Sequence, residues 1–210
     1  MIKKNLKTMI ITSIITLLPV IVGIVLWDKL PDQMATHFGE DGVANGWSSK
    51  PVAVFGLPVI LLLVQWLMPI ITNADPKRKN ISDKMFSLML WIVPIISVLG
   101  GGSMYWYAFN ETINTSDMAI MVFGVILIVA GNYLPKTKQS YTLGLKLPWT
   151  LNSEENWNRT HRLGGFVFVL CGVGVLILGF MNMYDFAFYV ILLAVIIPSV
   201  YSYLLYKKGI

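Results

Sequence analysis

Apolar residues in this chain gather into six long runs, at positions 8–27, 52–72, 85–108, 118–134, 165–182 and 186–206. None of the six contains Asp, Glu, Lys or Arg; all sixteen basic and eleven acidic residues lie between them. A helix needs about 20 apolar residues to cross the ~30 Å hydrocarbon core. A charge at its centre costs at least about 2.5–3.5 kcal/mol. The pattern therefore predicts an all-α integral membrane protein with six transmembrane helices. Pro19, Pro58, Pro69, Pro94 and Pro198 fall inside the runs and predict kinked helices, because proline removes a backbone donor. Gly100, Gly101 and Gly102 add a soft point in the third run. Such kinks suit a bundle that moves, and they equally suit ordinary packing, since Pro and Gly are frequent in membrane helices.

Composition agrees with this picture. Of the 210 residues, 56% are apolar and 13% charged, about half the charge of an average soluble domain, which excludes a soluble globular enzyme and a disordered chain. The net charge of +5 could suggest nucleic-acid binding, but its distribution argues for topology instead. Fourteen of the sixteen Lys and Arg residues fall in the N-terminus, the second and fourth loops and the C-terminal tail; only Lys29 and Lys50 fall in the first loop, and none in the third or fifth. By the positive-inside rule both termini are cytoplasmic, and no direct nucleic-acid partner is implied. The first run has the basic start of a signal peptide, but it is long for one and lacks a small-residue cleavage site, so it reads as an uncleaved span. Trp27, Trp47, Trp66, Trp106, Trp149 and Trp157 are placed as an aromatic belt.

Two loops carry information. The first, 28–51, has turn chemistry at Glu40-Asp41-Gly42 and Asn45-Gly46, with a short extended segment expected at Thr36-His37-Phe38. It reads equally as a docking face or as a solvated cap. Its acidic residues lack EF-hand spacing. In the fourth loop, 135–164, Asn152 and Glu155 resemble a capping box opening a short interfacial helix over about 153–163. Glu155 and Arg159 can pair one turn apart. Trp157 and His161 share a face that could rest at headgroup depth. Leu143, Leu145 and Leu147 alternate with Gly144 and Lys146, suggesting an extended piece. This loop reads either as a functional element or as an interfacial cap.

The fourth loop resembles the signature of the SdpI family of bacterial immunity membrane proteins. The matching elements are Gly131-Asn132-Tyr133-Leu134-Pro135-Lys136, then Gly144-x-Lys146-x-Pro148-Trp149-Thr150-Leu151, then Glu155-x-Trp157-x-x-Thr160-His161-Arg162-Leu163-Gly164-Gly165. The family usually has Arg where Lys146 stands, and Lys lacks the planar fork of Arg. The first loop is similar to a motif common at the front of these proteins: Leu30-Pro31, Thr36-His37-Phe38, Gly42, Gly46-Trp47 and Lys50, with Ala35 where Pro is common. The resemblance implies a multi-pass protein of the bacterial plasma membrane that protects against a secreted, membrane-active peptide toxin. It also implies a receptor that holds a cytoplasmic transcriptional repressor at the membrane. Toxin-side candidates are then His37, Gly42, Trp47 and Lys50. Cytoplasmic candidates are Asn132, Pro135, Lys136, Gly144, Lys146, Pro148, Trp149, Trp157, His161, Arg162, Gly164 and Gly165.

The chain divides for this purpose into 1–72, with the first two spans and outer loop; 73–117, around the third span; and the signature region 118–210. Besides toxin and repressor, the lipid bilayer is the partner implied. An alternative is a small transporter or channel component, although no span holds an ionisable group of the kind that couples ion flux. Catalysis is not expected. His37 and His161 fall on opposite sides of the bilayer, Cys171 lies about 15 Å along a helix from His161, and no Ser–His–Asp or metal-binding arrangement occurs. No cofactor or metal is implied.

Overall fold

The computed structural model describes residues 1–39, 43–110 and 115–210, with side chains at 115–118 left aside. Among them six helices are long and apolar enough to cross a membrane: Lys3–Val25, Val52–Ala74, Asp83–Phe109, Ala119–Lys136, Glu154–Phe180 and Tyr184–Lys207. Each overlaps one of the six predicted runs. The chain forms two compact units, one of Met1–Asn73 with Asp83–Ser116, the other of Ala74–Ser82 with Asp117–Ile210.

In the first unit the opening span is discontinuous, with α1 (Leu6–Thr16) and α2 (Leu18–Val25) meeting at Leu17. Pro19 lies in the first turn of α2, where its missing N–H leaves no extra orphan. A two-stranded antiparallel hairpin follows, β1 (Gln33–Phe38) and β2 (Ala44–Ser49). The expected extended segment is thus real, and it has a partner strand that the sequence reading did not foresee. A π-helical turn at Val52–Gly56 opens the second span and runs into α3 (Leu57–Ala74). The third span is α4 (Asp83–Phe109). Pro69 and Pro94 lie inside continuous helices, and Gly100–102 are helical within α4.

The interior of this unit is polar as well as apolar. Gln65 Nε2 donates to Thr12 Oγ1 (2.7 Å), Thr16 Oγ1 contacts Gln65 Oε1, and Ser97 Oγ donates to the Thr16 carbonyl (2.7 Å). All four side chains are buried. In a lipid-embedded bundle such pairs hold helices together where apolar burial gives little preference.

The second unit contains α5 (Thr115–Tyr133), α6 (Pro148–Asn152), α7 (Glu154–Phe180) and α8 (Tyr184–Lys207). Leu127, Leu134, Phe168, Val175, Ala187 and Ala194 form its apolar core. Glycines let α5 and α7 touch backbone to backbone: a Cβ on Gly131 would come 2.7 Å from the Gly165 carbonyl, and one on Gly172 would come 2.7 Å from that of Gly124. Small residues at such crossings permit the close approach that dispersion needs in a membrane.

Three expectations for the fourth loop change. The helix expected over 153–163 is not separate. It is the first part of α7, which runs unbroken for 27 residues, or ~40 Å at 1.5 Å per residue. Gly164 and Gly165 do not interrupt it, because both are buried, packed against Leu134 and Pro135, and the short helix of this loop is α6 instead. The cap is Ser153, whose side chain accepts from the Asn156 N–H (3.2 Å), rather than Asn152. Residues 141–144 form bends and 145–147 belong to no regular element, with Leu147 extended; the N–H groups of Tyr141, Thr142, Leu145 and Leu147 are taken by side chains instead of by a partner strand.

Candidate functional site

The fourth loop is held by groups distant in sequence. Asp75, 4% exposed, follows α3 and forms a turn in which its Oδ1 accepts the Lys77 N–H (2.8 Å). Its Oδ2 accepts from Tyr141 N (2.9 Å), Thr142 N (3.0 Å) and Thr142 Oγ1 (2.8 Å). Gln139 extends the same junction. Its Nε2 donates to the Thr150 and Leu151 carbonyls (2.7 and 2.9 Å), its Oε1 accepts from Lys77 Nζ, and its carbonyl accepts from Asn80 Nδ2 (2.8 Å). The second loop is therefore a scaffold for the fourth.

Beneath the loop lies a stacked pair. Trp157 and His161, one turn apart on α7, have ring centroids 3.9 Å apart at 18° and are 0% and 1% exposed. Trp157 Nε1 donates to the Thr137 carbonyl (2.9 Å). His161 Nε2 accepts the Leu145 N–H (2.9 Å), which places the ring proton on Nδ1, where it faces the Trp157 carbonyl (2.8 Å). The imidazole is neutral in this arrangement because both nitrogens are committed. Gly144 crosses the pair with φ +112°, and a Cβ there would lie 2.5 Å from His161 Nε2. Thr150 Oγ1 accepts the Leu147 N–H (2.9 Å) and donates to the Leu145 carbonyl (2.8 Å), closing the entry to α6.

A further node joins α7 to α8. Asn156 Nδ2 donates to the carbonyls of Ser202 (3.0 Å) and Ile210 (3.1 Å). Its Oδ1 accepts from Thr160 Oγ1 (3.1 Å) and Ser202 Oγ (2.5 Å).

The cytoplasmic candidates separate into two groups. Trp157, His161, Gly164 and Gly165 are buried and the half-buried Gly144 lies against them; these five build the loop. Trp157 is accordingly a core residue rather than an anchor at headgroup depth. Asn132, Pro135, Lys136, Lys146, Pro148 and Arg162 are exposed. Lys136 Nζ lies 3.5 Å from Asn132 Oδ1 and 5.0 Å from the Tyr133 ring centroid, and Pro135 packs on Gly165. Lys146 Nζ lies 3.5 Å from the Thr142 carbonyl. Trp149 is half-buried, edge-on to Tyr203 (5.5 Å) and stacked on Tyr206 (6.0 Å). Arg159 pairs with Glu155 at 2.5 Å, as the spacing implied.

Of the toxin-side candidates, Gly42 lies outside the described residues, as do Glu40 and Asp41. His37 is exposed, and its Nδ1–H donates to Asn45 Oδ1 (2.5 Å) across the hairpin. Trp47 is 52% exposed with its edge on Tyr107 (6.2 Å), which also meets Phe38 (5.2 Å). Lys50 is tucked in: its Nζ donates to the Trp27 carbonyl (3.3 Å), lies 3.5 Å from Asp32 and sits 5.3 Å from the Trp27 ring centroid. Trp66 lies inside α3, where it is exposed and donates to Ser13 Oγ (3.0 Å).

Sequence reading missed Asp75, Gln139, Asn156 and Ser202, and named Thr150 only as part of the motif, without a role. Asp75 carried one usable signal, since Asp75-Pro76 is a turn-initiating pair. The others are polar residues whose value depends on neighbours brought in by the fold.

Six membrane-length helices carrying a built loop in each unit define a multi-pass membrane protein. Residues 136–202 match the SdpI/YfhL protein family and residues 14–62 match a domain of unknown function, DUF1648. The two matches contain much of the fourth loop and the hairpin, respectively. Immunity protein SdpI of Bacillus subtilis (strain 168) is 25% identical over 210 residues, covering 97% of this chain and 98% of that protein. No solved structure matches. The resemblance read from the loop motifs thus extends to a likeness along nearly the whole chain, and the protein is a multi-pass bacterial membrane protein in which residues 136–202 match the SdpI/YfhL family.

Proposed function

We propose that this chain is a membrane immunity protein that protects its cell from a secreted, membrane-active peptide toxin by binding rather than by catalysis. The observation that carries the reading is its likeness to Immunity protein SdpI over 97% of its length. The coarse part, a membrane immunity protein, rests on that likeness directly. The finer part rests on charge and on the two loops. With fourteen of sixteen basic residues in alternate segments, the hairpin faces outward and the fourth loop faces the cytoplasm. The exposed His37 and Trp47 are then where toxin arrives. The exposed Lys136, Lys146 and Arg162 are where a cytoplasmic repressor is held once toxin is present.

The test is survival of a toxin-sensitive host. Cells expressing the chain should withstand toxin that kills the parent strain; equal killing of both would remove the immunity role. Recruitment of a fluorescent repressor to the membrane on toxin addition, lost when Lys136, Lys146 and Arg162 are replaced by Gln, tests the signalling arm.

A further inference from the structure

Three irregular features of the first unit converge on one side chain. The opening span breaks at Leu17, and the second span starts with the π-helical turn Val52–Gly56. Backbone breaks of this kind in a membrane helix free carbonyls that must find donors, and π turns are common at functional sites. The third feature is the hairpin, whose Met34 is completely buried against the span ends.

Tyr105 meets all three. Its hydroxyl donates to the Pro19 carbonyl (2.7 Å), just past the break. Its ring belongs to the buried cluster of Leu30, Met34, Ala53, Val54 and Met104, which joins the hairpin to the π turn. A Cβ on Gly23 would collide with the Tyr105 hydroxyl and with Val54. Two further α4 residues meet the same stretch of the first span. Gly101 admits Pro19, whose Cβ lies 2.7 Å from where a side chain would begin, and Ser97 Oγ donates to the Thr16 carbonyl (2.7 Å). Ser97, Gly101 and Tyr105 are spaced by four and so form one stripe of α4. That stripe supplies a donor on each side of the break and room between them. Two residues beyond Tyr105, Tyr107 carries Phe38 and Trp47 of the hairpin.

We infer that Tyr105 is a positioning residue that couples the hairpin to the break in the first span, so that α2 is held in register only while the hairpin is seated on α4. Seating Met34 fixes the Tyr105 ring. The fixed ring keeps its hydroxyl on the Pro19 carbonyl, and unseating the hairpin removes that donor and loosens α2. The coupling runs through one packed cluster and one hydrogen bond, and it stands whether or not a toxin is the ligand.

The experiment is backbone hydrogen exchange on the full chain in lipid nanodiscs, comparing the native protein with Y105F, M34A, the double variant and S97A. Y105F keeps the ring and removes only the hydroxyl. Loss of one buried hydrogen bond should raise exchange over residues 17–26 about two- to tenfold, with the rest of the chain nearly unchanged. M34A should raise the same segment, and the double variant should exceed the larger single effect only slightly, since both remove one connection. S97A should loosen the same segment, which keeps the inference testable if Y105F assembles poorly. Unchanged exchange at 17–26 in M34A, unchanged exchange there in both Y105F and S97A, an increase spread evenly over the unit, or single effects of M34A and Y105F that multiply would each overturn it. A host-survival assay is a separate readout: loss of immunity without loss of this coupling counts against the proposed function alone.

Discussion

The indole of Trp157 lies flat against the imidazole of His161, both fully enclosed, and the backbone of Gly144 passes directly over them. This contact gives the Gly, the Trp and the His of the fourth loop one shared structural task. The two rings make a floor, and Leu145 N–H reaches down to His161 Nε2. The chain can approach that closely only without a Cβ.

Gly144→Ala should therefore damage the loop twice, by placing an L side chain at φ +112° and by driving Cβ into the imidazole. Backbone strain of this kind costs about 1–3 kcal/mol before any clash is counted. Thermal unfolding in detergent should show a clear loss of stability, and proteolysis should become faster at Lys138 and Lys146.

His161→Phe preserves the stacking area and removes the acceptor for Leu145 N–H. Leaving that buried donor unmet should cost about 1–3 kcal/mol. A neutral acceptor restores part of it, so His161→Gln should be milder than His161→Phe if the bond matters more than the ring. A chemical-denaturant series on the three proteins decides the order.

Asp75→Asn keeps the shape of the side chain but turns an acceptor-only carboxylate into a group with two donors. Four donors converge on Asp75: Lys77 N, Tyr141 N, Thr142 N and Thr142 Oγ1. Hydrogen bonds to a charged group contribute about 1.5–3 kcal/mol, and part of that should be lost. Amide exchange at 141–142 should accelerate while exchange in α8 stays as it was.

Replacing Lys136, Lys146 and Arg162 together by Gln should leave the melting temperature nearly unchanged, because all three are exposed and surface substitutions are usually mild. Membrane recruitment of a repressor should fall. A large drop in melting temperature would show that these side chains hold the loop instead of presenting it.

The sidedness argument has its own measurement. Single cysteines at Trp47 and at Lys138, in a Cys171→Ser background, should label differently from the medium, with Trp47→Cys reacting in intact cells and Lys138→Cys only after permeabilisation.

Six helices were legible from sequence because lipid imposes a one-dimensional rule: a span must be long, apolar and free of charge, and each condition can be read without knowing any neighbour. The Glu155–Arg159 pair and the sharing of a face by Trp157 and His161 were legible for a similar reason, since helical spacing alone sets them. The direction in which that face points was not. Trp157 has the amphipathic character of an interfacial anchor, yet Thr137 and Gly144, brought over it by the loop, make it a core residue. Asp75 and Asn156 likewise became structural nodes only through partners as far as 67 and 54 residues away. Burial of a polar group depends on which acceptors and donors arrive in space, so that part of the protein was decided by the tertiary fold.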